Sequence, residues 1–296
     1  MILVFSVLFF PPSKNPRSYD APRALGRIAI DGKLDDPGWA AAAWTEDFMD
    51  IQGTEAPAPP LRTRAKILWD DEHLYIGAEM EEPDLWATLT DRDAIIYRDD
   101  DFEVFLDPEG DGLAYFEIEI NAMGTVFDLF LDRPYNDGGR AEIGWDAPGL
   151  RAEVALMGTL NDPTDEDRGW SAEMAIPWAD LVPLAPERFA KPDSRPLGSA
   201  GTPGTRDRPG TRPAWTPGEA PRIGDSWRIN FSRVDWPMEV VEGSYRKAES
   251  PTRENRHPEA NWVWSPQGVI NMHVPEMWGV VRFVLDPQNS LFNICP

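Results

Sequence analysis

Residues 97–107 read Tyr-Arg-Asp-Asp-Asp-Phe-Glu-Val-Phe-Leu-Asp. In its second half, apolar residues alternate with mostly acidic ones. Successive side chains of a β-strand point to opposite faces, so this spacing predicts a strand with one face on a hydrophobic core. The core face would carry Phe102, Val104 and Leu106. The opposite face would carry Asp101, Glu103, Phe105 and Asp107.

The same stretch places five carboxylates within nine residues, next to the aromatic ring of Tyr97. They belong to Asp99, Asp100, Asp101, Glu103 and Asp107. Like charges this close repel one another unless a cation or hydrogen-bond donors lie among them. A hard metal ion, an arginine or a polyhydroxylated ligand would each provide such a partner. A solvated acidic loop that leads into a strand is the simpler alternative.

Other short runs of alternating residues, separated by turn residues, predict an all-β protein. A hairpin is predicted from residues 65–69 and 73–80. Further strands are predicted at residues 28–31, 115–121, 125–131, 151–156, 170–176, 227–234 and 278–284. Short strands at this spacing are typical of an antiparallel β-sandwich.

The chain is expected to form one domain over residues 28–284, followed by a C-terminal tail at residues 285–296. Residues 185–223 are rich in Pro, Gly, Arg and Thr, with few large apolar groups. Such a segment buries too little surface to offset the entropy of ordering, which predicts a flexible insertion. Residues 242–260 are similarly polar and are predicted to form a surface loop.

The N-terminal segment, residues 1–27, opens with about ten apolar residues, whereas a membrane-spanning helix needs about 20. It resembles the remnant of a secretion signal, so we expect a secreted or periplasmic protein with bacterial-type export and no membrane span. Cys295 is the single cysteine, which excludes an intrachain disulfide.

The formal net charge of -23 argues against a nucleic-acid surface, because phosphate binding relies on clustered Lys and Arg. Acidic side chains instead suit calcium or sugar hydroxyls. The chain also contains 13 tryptophans, an abundance that fits a carbohydrate-binding surface. Most of them are nevertheless expected in the core.

The order of the motifs resembles that of the family 9 carbohydrate-binding modules. The segments that carry the resemblance are Ile30-Asp31-Gly32-Lys33-Leu34-Asp35 with Trp39, and residues 67–75, 101–107, 116–121, 169–178 and 229–233. Residues 264–279 resemble a subgroup of family 9-like proteins. The resemblance implies a jelly-roll-like β-sandwich with structural calcium. It also implies non-catalytic binding of a poly- or oligosaccharide, linked to carbohydrate catabolism.

The resemblance also implies site residues. Tyr97 falls where the family has its first sugar-stacking tryptophan, and Glu103 falls on the family's carboxylate. Glu119 and Asn121 fall on an arginine and an asparagine of the next strand, so that arginine is replaced here. Since carboxylates accept strong hydrogen bonds from hydroxyls, these side chains are expected to hold one ligand.

Two further regions complete the predicted site. Met272 falls near the family's second tryptophan, and its neighbours Asn271 and His273 are expected to close one side of the ligand. Arg233 lies on a late strand and is expected to pair with the acidic cluster.

Calcium would need six to eight oxygen ligands. Asp107, Glu109 and Asp111 offer alternating carboxylates among glycine turns and form the main candidate. The turn at residues 70–72, Asp-Asp-Glu, is a second candidate.

Two other function classes remain open at this point. A glycoside hydrolase acting on O-glycosyl bonds would use Glu103 and Glu119, if these lie near the ~5 Å that retaining enzymes require. A structural or interaction β-sandwich would bind no sugar at all.

Overall fold

The computed structural model describes residues 15–189, 215–248 and 258–285. Over these ranges the chain forms fifteen β-strands and seven short 3-10 helices. The strands are β1 (Ser18–Pro22), β2 (Met49–Asp50), β3 (Thr63–Trp69), β4 (His73–Met80), β5 (Asp101–Asp107), β6 (Tyr115–Asn121), β7 (Val126–Leu131), β8 (Ala141–Glu142), β9 (Arg151–Leu156), β10 (Trp170–Pro177), β11 (Ser226–Asp235), β12 (Met238–Val241), β13 (Ser244–Lys247), β14 (Ala260–Val263) and β15 (Gly279–Val284). The 3-10 helices are Pro37–Ala41, Gly53–Glu55, Ile96–Arg98, Tyr135–Asp137, Trp178–Asp180, Pro186–Phe189 and Pro275–Met277.

Most of the strands form two sheets. The larger sheet has nine strands in the order β1-β15-β11-β5-β6-β7-β8, with β14 paired to β11 and β2 paired to β14. The smaller sheet has four strands in the order β3-β4-β10-β9, and β12 and β13 form a separate hairpin. Neighbouring strands are antiparallel, except that β1 runs parallel to β15.

The main hydrophobic core lies between the two sheets. Phe102, Val104 and Leu106 of β5 belong to the same buried cluster as Ile76 of β4 and Met174 of β10. Each fully buried side chain of this size contributes about 1.5–3 kcal/mol relative to exposure. The predicted fold class, an all-β antiparallel sandwich, is therefore confirmed, with the apolar face of β5 on the core as expected.

The outer face of the larger sheet is partly covered by loops. Phe105 of β5 and Tyr115 of β6 pack there with Met272 and Trp278, which follow β14 in the chain. This second cluster covers part of the outer face. The carboxylate-bearing positions of β5 and β6 lie on the same outer face, beside the covered part.

The predicted hairpin and the strands around residues 101–107, 115–121, 125–131, 151–156 and 170–176 are confirmed, as are the two late strands. The strand predicted at residues 28–31 is wrong. These residues form an irregular segment in which Ile28 is buried. Its backbone hydrogen bonds go to side chains rather than to a neighbouring strand, since Ala29 N donates to Asp36 Oδ2 at 2.6 Å.

The chain also contains strands that the sequence patterns missed. β1 lies within the segment expected to precede the domain, and it forms an edge of the sheet beside β15. β13 and the start of β14 lie in the predicted surface loop at residues 242–260. These strands have only four or five residues, too few for a clear alternation.

The core of the predicted insertion, residues 190–214, lies outside the described residues, as do residues 1–14, 249–257 and 286–296. Both described ends of the insertion pack onto the core. Phe189 packs on Phe130 with a ring distance of 5.8 Å, and Trp215 packs edge-on to Trp227 at 5.5 Å. Over the described residues, no helix has the length and apolar character needed to span a membrane.

A buried carboxylate attaches the N-terminal loop to the smaller sheet. Glu173 of β10 accepts hydrogen bonds from Asp31 N at 2.9 Å, Gly32 N at 3.1 Å and Trp39 Nε1 at 2.8 Å. The loop approaches β9 closely at Gly32, where the backbone has φ +81° and an added Cβ would lie 2.3 Å from Val154 C. Glycine is therefore required at this position for both conformation and space.

We expect Gly32→Ala to lower the free energy of unfolding by about 3 kcal/mol, from left-handed backbone strain plus a clash with the Val154 backbone. Gly243→Ala is the matched control, because Gly243 has φ +78° with nothing within 4 Å of the added Cβ. The control is expected to lose about 1–2 kcal/mol from strain alone. Urea unfolding measures both, and equal losses would contradict the close approach at Gly32.

Candidate functional site

A cavity of about 850 Å³ opens on the outer face of the larger sheet. Three glutamates of β5 and β6 lie at its base, and they are called the carboxylate floor here: Glu103, Glu117 and Glu119. The walls come from the loop before β5, the loop after β7 and the segment between β14 and β15. Wall residues include Tyr97, Arg98, Tyr135, Asn261, Asn271, Met272 and His273.

Strand register brings the floor together. Glu103 of β5 pairs directly with Glu119 of β6, and Glu117 lies opposite Phe105. Directly opposed side chains on neighbouring strands have Cβ atoms about 4.5–5.5 Å apart. Asp101 lies on the same face, next to the floor. One carboxylate oxygen each of Asp101, Glu103 and Glu119 lies within 4.8 Å of the other two.

These carboxylates are buried and only partly hydrogen-bonded. Asp101, Glu103, Glu117 and Glu119 are each at most 6% exposed. Tyr97 N donates to Glu119 Oε2 at 3.0 Å, and Val234 N donates to Asp101 Oδ1 at 3.2 Å. Within the described part of the chain, no partner is found for Asp101 Oδ2, Glu103 Oε2 or Glu117 Oε2.

Burial changes the charge of the floor. It raises the pKa of Glu103 to about 7. Burial, and then repulsion from neighbouring carboxylates, raises the pKa values of Asp101, Glu117 and Glu119 well above their usual range. At neutral pH the group therefore holds protons as well as charge. It can both donate hydrogen bonds to hydroxyl groups and accept them.

Two tyrosine rings line the cavity. Tyr97 is 45% exposed and Tyr135 is 48% exposed. The backbone of Tyr97 is held on both sides, since its N donates to Glu119 and its O accepts from Trp236 Nε1 at 3.0 Å. Tyr135 packs edge-on to His273 with a ring distance of 4.6 Å. Exposed rings held in this way offer flat apolar surfaces to a ligand.

The predicted residues between β14 and β15 do reach the cavity. Asn271, Met272 and His273 all line its wall. His273 Nδ1 lies 3.0 Å from the Tyr115 hydroxyl, and Trp278 Nε1 donates to Met272 O at 2.8 Å. Burial lowers the pKa of His273 to about 4, so that its imidazole is neutral at pH 7.

Asn121 does not reach the cavity lining. Its Nδ2 donates to Leu89 O at 2.9 Å and to Asp99 Oδ2 at 3.0 Å. Its Oδ1 accepts from Met123 N and Thr125 N, both at 3.0 Å. The fully buried amide therefore holds the turn between β6 and β7 to the loop before β5. The structure gives it a positioning role at the end of β6.

Arg233 does not pair with the carboxylate floor. It shares the inner face of β11 with Phe231, and the period of two carries it away from the cavity. Its Nη2 lies 2.5 Å from Glu82 Oε2 and 2.6 Å from Asp235 Oδ1, with the guanidinium over the ring of Trp262. The predicted pairing of Arg233 with the acidic residues of the site is therefore wrong, because Arg233 pairs with Glu82 and Asp235 instead.

Among the described residues, the carboxylates of the predicted calcium loop do not come together as a group that could hold a metal ion. Asp107 accepts hydrogen bonds from Gly110 N and Gly112 N, both at 2.8 Å, so its two oxygens close the turn. Glu109 and Asp111 are exposed. The second candidate is similar, because Asp70 accepts hydrogen bonds from two backbone N–H groups of its own turn and from the Tyr75 hydroxyl.

Sequence reasoning missed three residues of this region. The sequence pattern puts Asp101 on the outer face of its strand but not in the site, and it does not single out Glu117. The alternation along both strands does place them on the face of Glu103. Tyr135 lies in a 3-10 helix after β7, and no pattern in the sequence indicates that this loop folds over the cavity.

We expect Glu103→Gln to change how stability depends on pH. Glu103 has a pKa of 4.5 in the unfolded chain and about 7 in the folded protein. In chelator-containing buffer, its protonated form therefore stabilises the fold fully below pH 4.5, and this stabilisation is lost as the pH rises through about 7. The variant should therefore gain stability over the wild type across this range, by roughly 3 kcal/mol. Urea unfolding at several pH values measures the gain. Glu166→Gln, which removes an exposed carboxyl, is the control. If the stability gained by Glu103→Gln does not change with pH, the burial of Glu103 is contradicted.

Comparisons with known proteins agree with the fold and the motifs. The chain is 26% identical over 164 residues to the exoglucanase XynX of Acetivibrio thermocellus; the match covers 55% of this chain but 13% of that protein. In structure it is similar to a protein of Bacteroides uniformis that is proposed to bind carbohydrate. The TM-score is 0.56 at 14% identity, and the match covers 90% of this chain and 99% of that one.

A second solved structure is a family 9 carbohydrate-binding module of Caldicellulosiruptor kristjanssonii in complex with glucose. It gives a TM-score of 0.51 at 16% identity and covers 95% of this chain and all of that one. The family model described as carbohydrate family 9 binding domain-like matches residues 30–190, more than half of the chain. The protein therefore belongs to the carbohydrate family 9 binding domain-like family, as its strand motifs predicted.

Proposed function

We propose that the protein binds a poly- or oligosaccharide in the cavity above the carboxylate floor and does not cleave it. One observation carries the proposal. In a family of carbohydrate-binding domains, this chain has a cavity that combines exposed tyrosine rings with buried carboxyl groups lacking partners. A sugar needs both features in one place.

The chemistry of the cavity suits a sugar ring. One face of a pyranose is apolar and packs on an aromatic ring, while its hydroxyls require directional partners. Tyr97 would supply the stacking surface. Glu103 and Glu119, at the base of the cavity, would accept hydrogen bonds from the sugar hydroxyls or donate to them. Hydrogen bonds with an ionised partner are roughly twice as strong as neutral ones. Asn271 and Asn261 add amide groups at the wall.

The relatives support the class of ligand. The Caldicellulosiruptor module was solved with glucose, and the Acetivibrio relative is an exoglucanase. We accordingly expect a saccharide that contains glucose units as the ligand. A role in carbohydrate breakdown outside the cytoplasm is part of the same proposal.

Glycoside hydrolysis is a second candidate, favoured by the spacing of Glu103 and Glu119. One carboxylate oxygen of each lies within 4.8 Å of the other, which is no farther than the ~5–5.5 Å between the carboxyl groups of retaining enzymes. Both side chains, however, rise side by side from one floor. A retaining enzyme needs its two carboxyls on either side of the scissile bond, so binding without cleavage fits the arrangement better.

Calorimetric titration with xylo-, cello- and manno-oligosaccharides should give binding heat for at least one series, and mass spectrometry should then find the sugars intact. Tyr97→Ala is expected to weaken binding about tenfold, because ~1.4 kcal/mol of stacking corresponds to that factor. The substitution leaves both backbone hydrogen bonds of residue 97 available.

Tyr245→Ala is the control, since Tyr245 lies on the β12–β13 hairpin outside the cavity lining. Its binding curve should match that of the wild type. Shortened sugars would favour the hydrolase. An absence of heat with every sugar, or equal affinity in the wild type and Tyr97→Ala, would contradict the proposal.

A further inference from the structure

Two other buried acidic groups of this chain have a built-in positive partner. Asp128 is fully buried, and Arg92 Nη2 lies 2.6 Å from its Oδ1. Glu82 is 6% exposed and is paired with Arg233 at 2.5 Å. A buried carboxylate without a positive partner or enough hydrogen bonds costs several kcal/mol, which explains such pairs.

The carboxylate floor is different. Over residues 15–189, 215–248 and 258–285, no ion pair involves Asp101, Glu103, Glu117 or Glu119. Arg98 is the one arginine or lysine in the described cavity lining, and it too makes no ion pair with the floor there. Among the described residues, four acidic groups thus share one buried region without a positively charged partner.

Carboxylate oxygens of three of these groups converge. One oxygen each of Asp101, Glu103 and Glu119 lies within 4.8 Å of the other two, a spacing that three ligands of one ion can have when each is 2.3–2.6 Å from it. Asp101 Oδ2 and Glu103 Oε2 have no hydrogen-bond partner in the described chain, and both residues are at most 5% exposed. A buried acceptor without a partner calls for one, such as a water molecule or an ion.

The geometry points to a divalent-cation site formed by Asp101, Glu103 and Glu119 at the base of the cavity, with calcium as the ion. The donors are all carboxylate oxygens, which suit hard cations and disfavour copper or zinc. Calcium accepts six to eight oxygens in flexible geometry, and three carboxylates provide between three and six of them. Magnesium gives up its water reluctantly and should bind more weakly.

The position of the site gives the ion a role in recognition. Glu103 and Glu119 also line the cavity, so the open coordination positions of the ion face the space above the floor. Two neighbouring hydroxyls of a sugar can fill such positions. The cation would then contact the ligand directly, a part of the inference that rests on the proposed saccharide binding.

A second acidic cluster in the chain provides the matched comparison. Asp93, Asp128 and Asp146 also bring one oxygen each within 4.8 Å of the others. There, however, Arg92 Nη2 contacts both Asp128 and Asp146, at 2.6 and 3.3 Å. The arginine already supplies the positive charge, so this cluster is expected to bind no calcium.

The test is calorimetric titration of calcium chloride into the chelator-treated full chain without sugar. Binding to the wild type is expected, and Glu103→Gln should weaken it about tenfold or more, because a charged ligand is lost. Glu119→Gln gives a second, independent variant, and circular dichroism checks that both are folded. Asp146→Asn is the control and should bind calcium as the wild type does.

No calcium heat, or heat that survives in both glutamine variants, would overturn the cation site. Equal weakening in Asp146→Asn would also overturn it, since binding would then depend only on the overall acidity of the protein.

Sugar titrations with calcium and with chelator test the role of the ion in sugar recognition. Sugar binding that is unchanged by chelator would overturn that role and leave the proposed function standing. Calcium binding without affinity for any sugar would support the cation site and refute the proposed function.

Discussion

Phe102, Val104 and Leu106 are buried between the two sheets, and this burial fixes the direction of the side chains that alternate with them along β5. Because the strand has a period of two, the intervening Asp101 and Glu103 must lie on the outer face. β6 repeats the arrangement, with an apolar inner face and Glu117 and Glu119 outside. Hydrophobic packing in the core thus holds carboxyl groups close together against their mutual repulsion.

Burying carboxyl groups costs free energy, and different parts of the molecule offset this cost in different ways. Arg92 and Arg233 pair with the buried Asp128 and Glu82, and Glu173 is satisfied by three N–H donors. At the carboxylate floor, protonation offsets part of the cost, since burial raises the pKa of Glu103 to about 7. A ligand that brings hydroxyl groups or positive charge would offset more. A site poised in this way gains stability when it is occupied.

Much of the fold could be predicted from the sequence, because long strands with clear alternation dominate the core. The same alternation identifies the outer face of β5 and β6, and hence Glu103 and Glu119. It also explains why Arg233 does not reach the site. Arg233 is two residues from Phe231 on β11, so both side chains face inward. Parts of the site that depend on loops, such as Tyr135 and the bonds that occupy Asn121, follow from contacts distant in sequence. No local pattern reports them.

Binding of a saccharide over the carboxylate floor can be tested most directly by a crystal structure of the protein with the oligosaccharide that binds most tightly, grown with calcium. We expect a sugar ring stacked on Tyr97, with hydroxyls within hydrogen-bond distance of Glu103 and Glu119. A sugar bound at another surface, with the cavity filled by water alone, would contradict it.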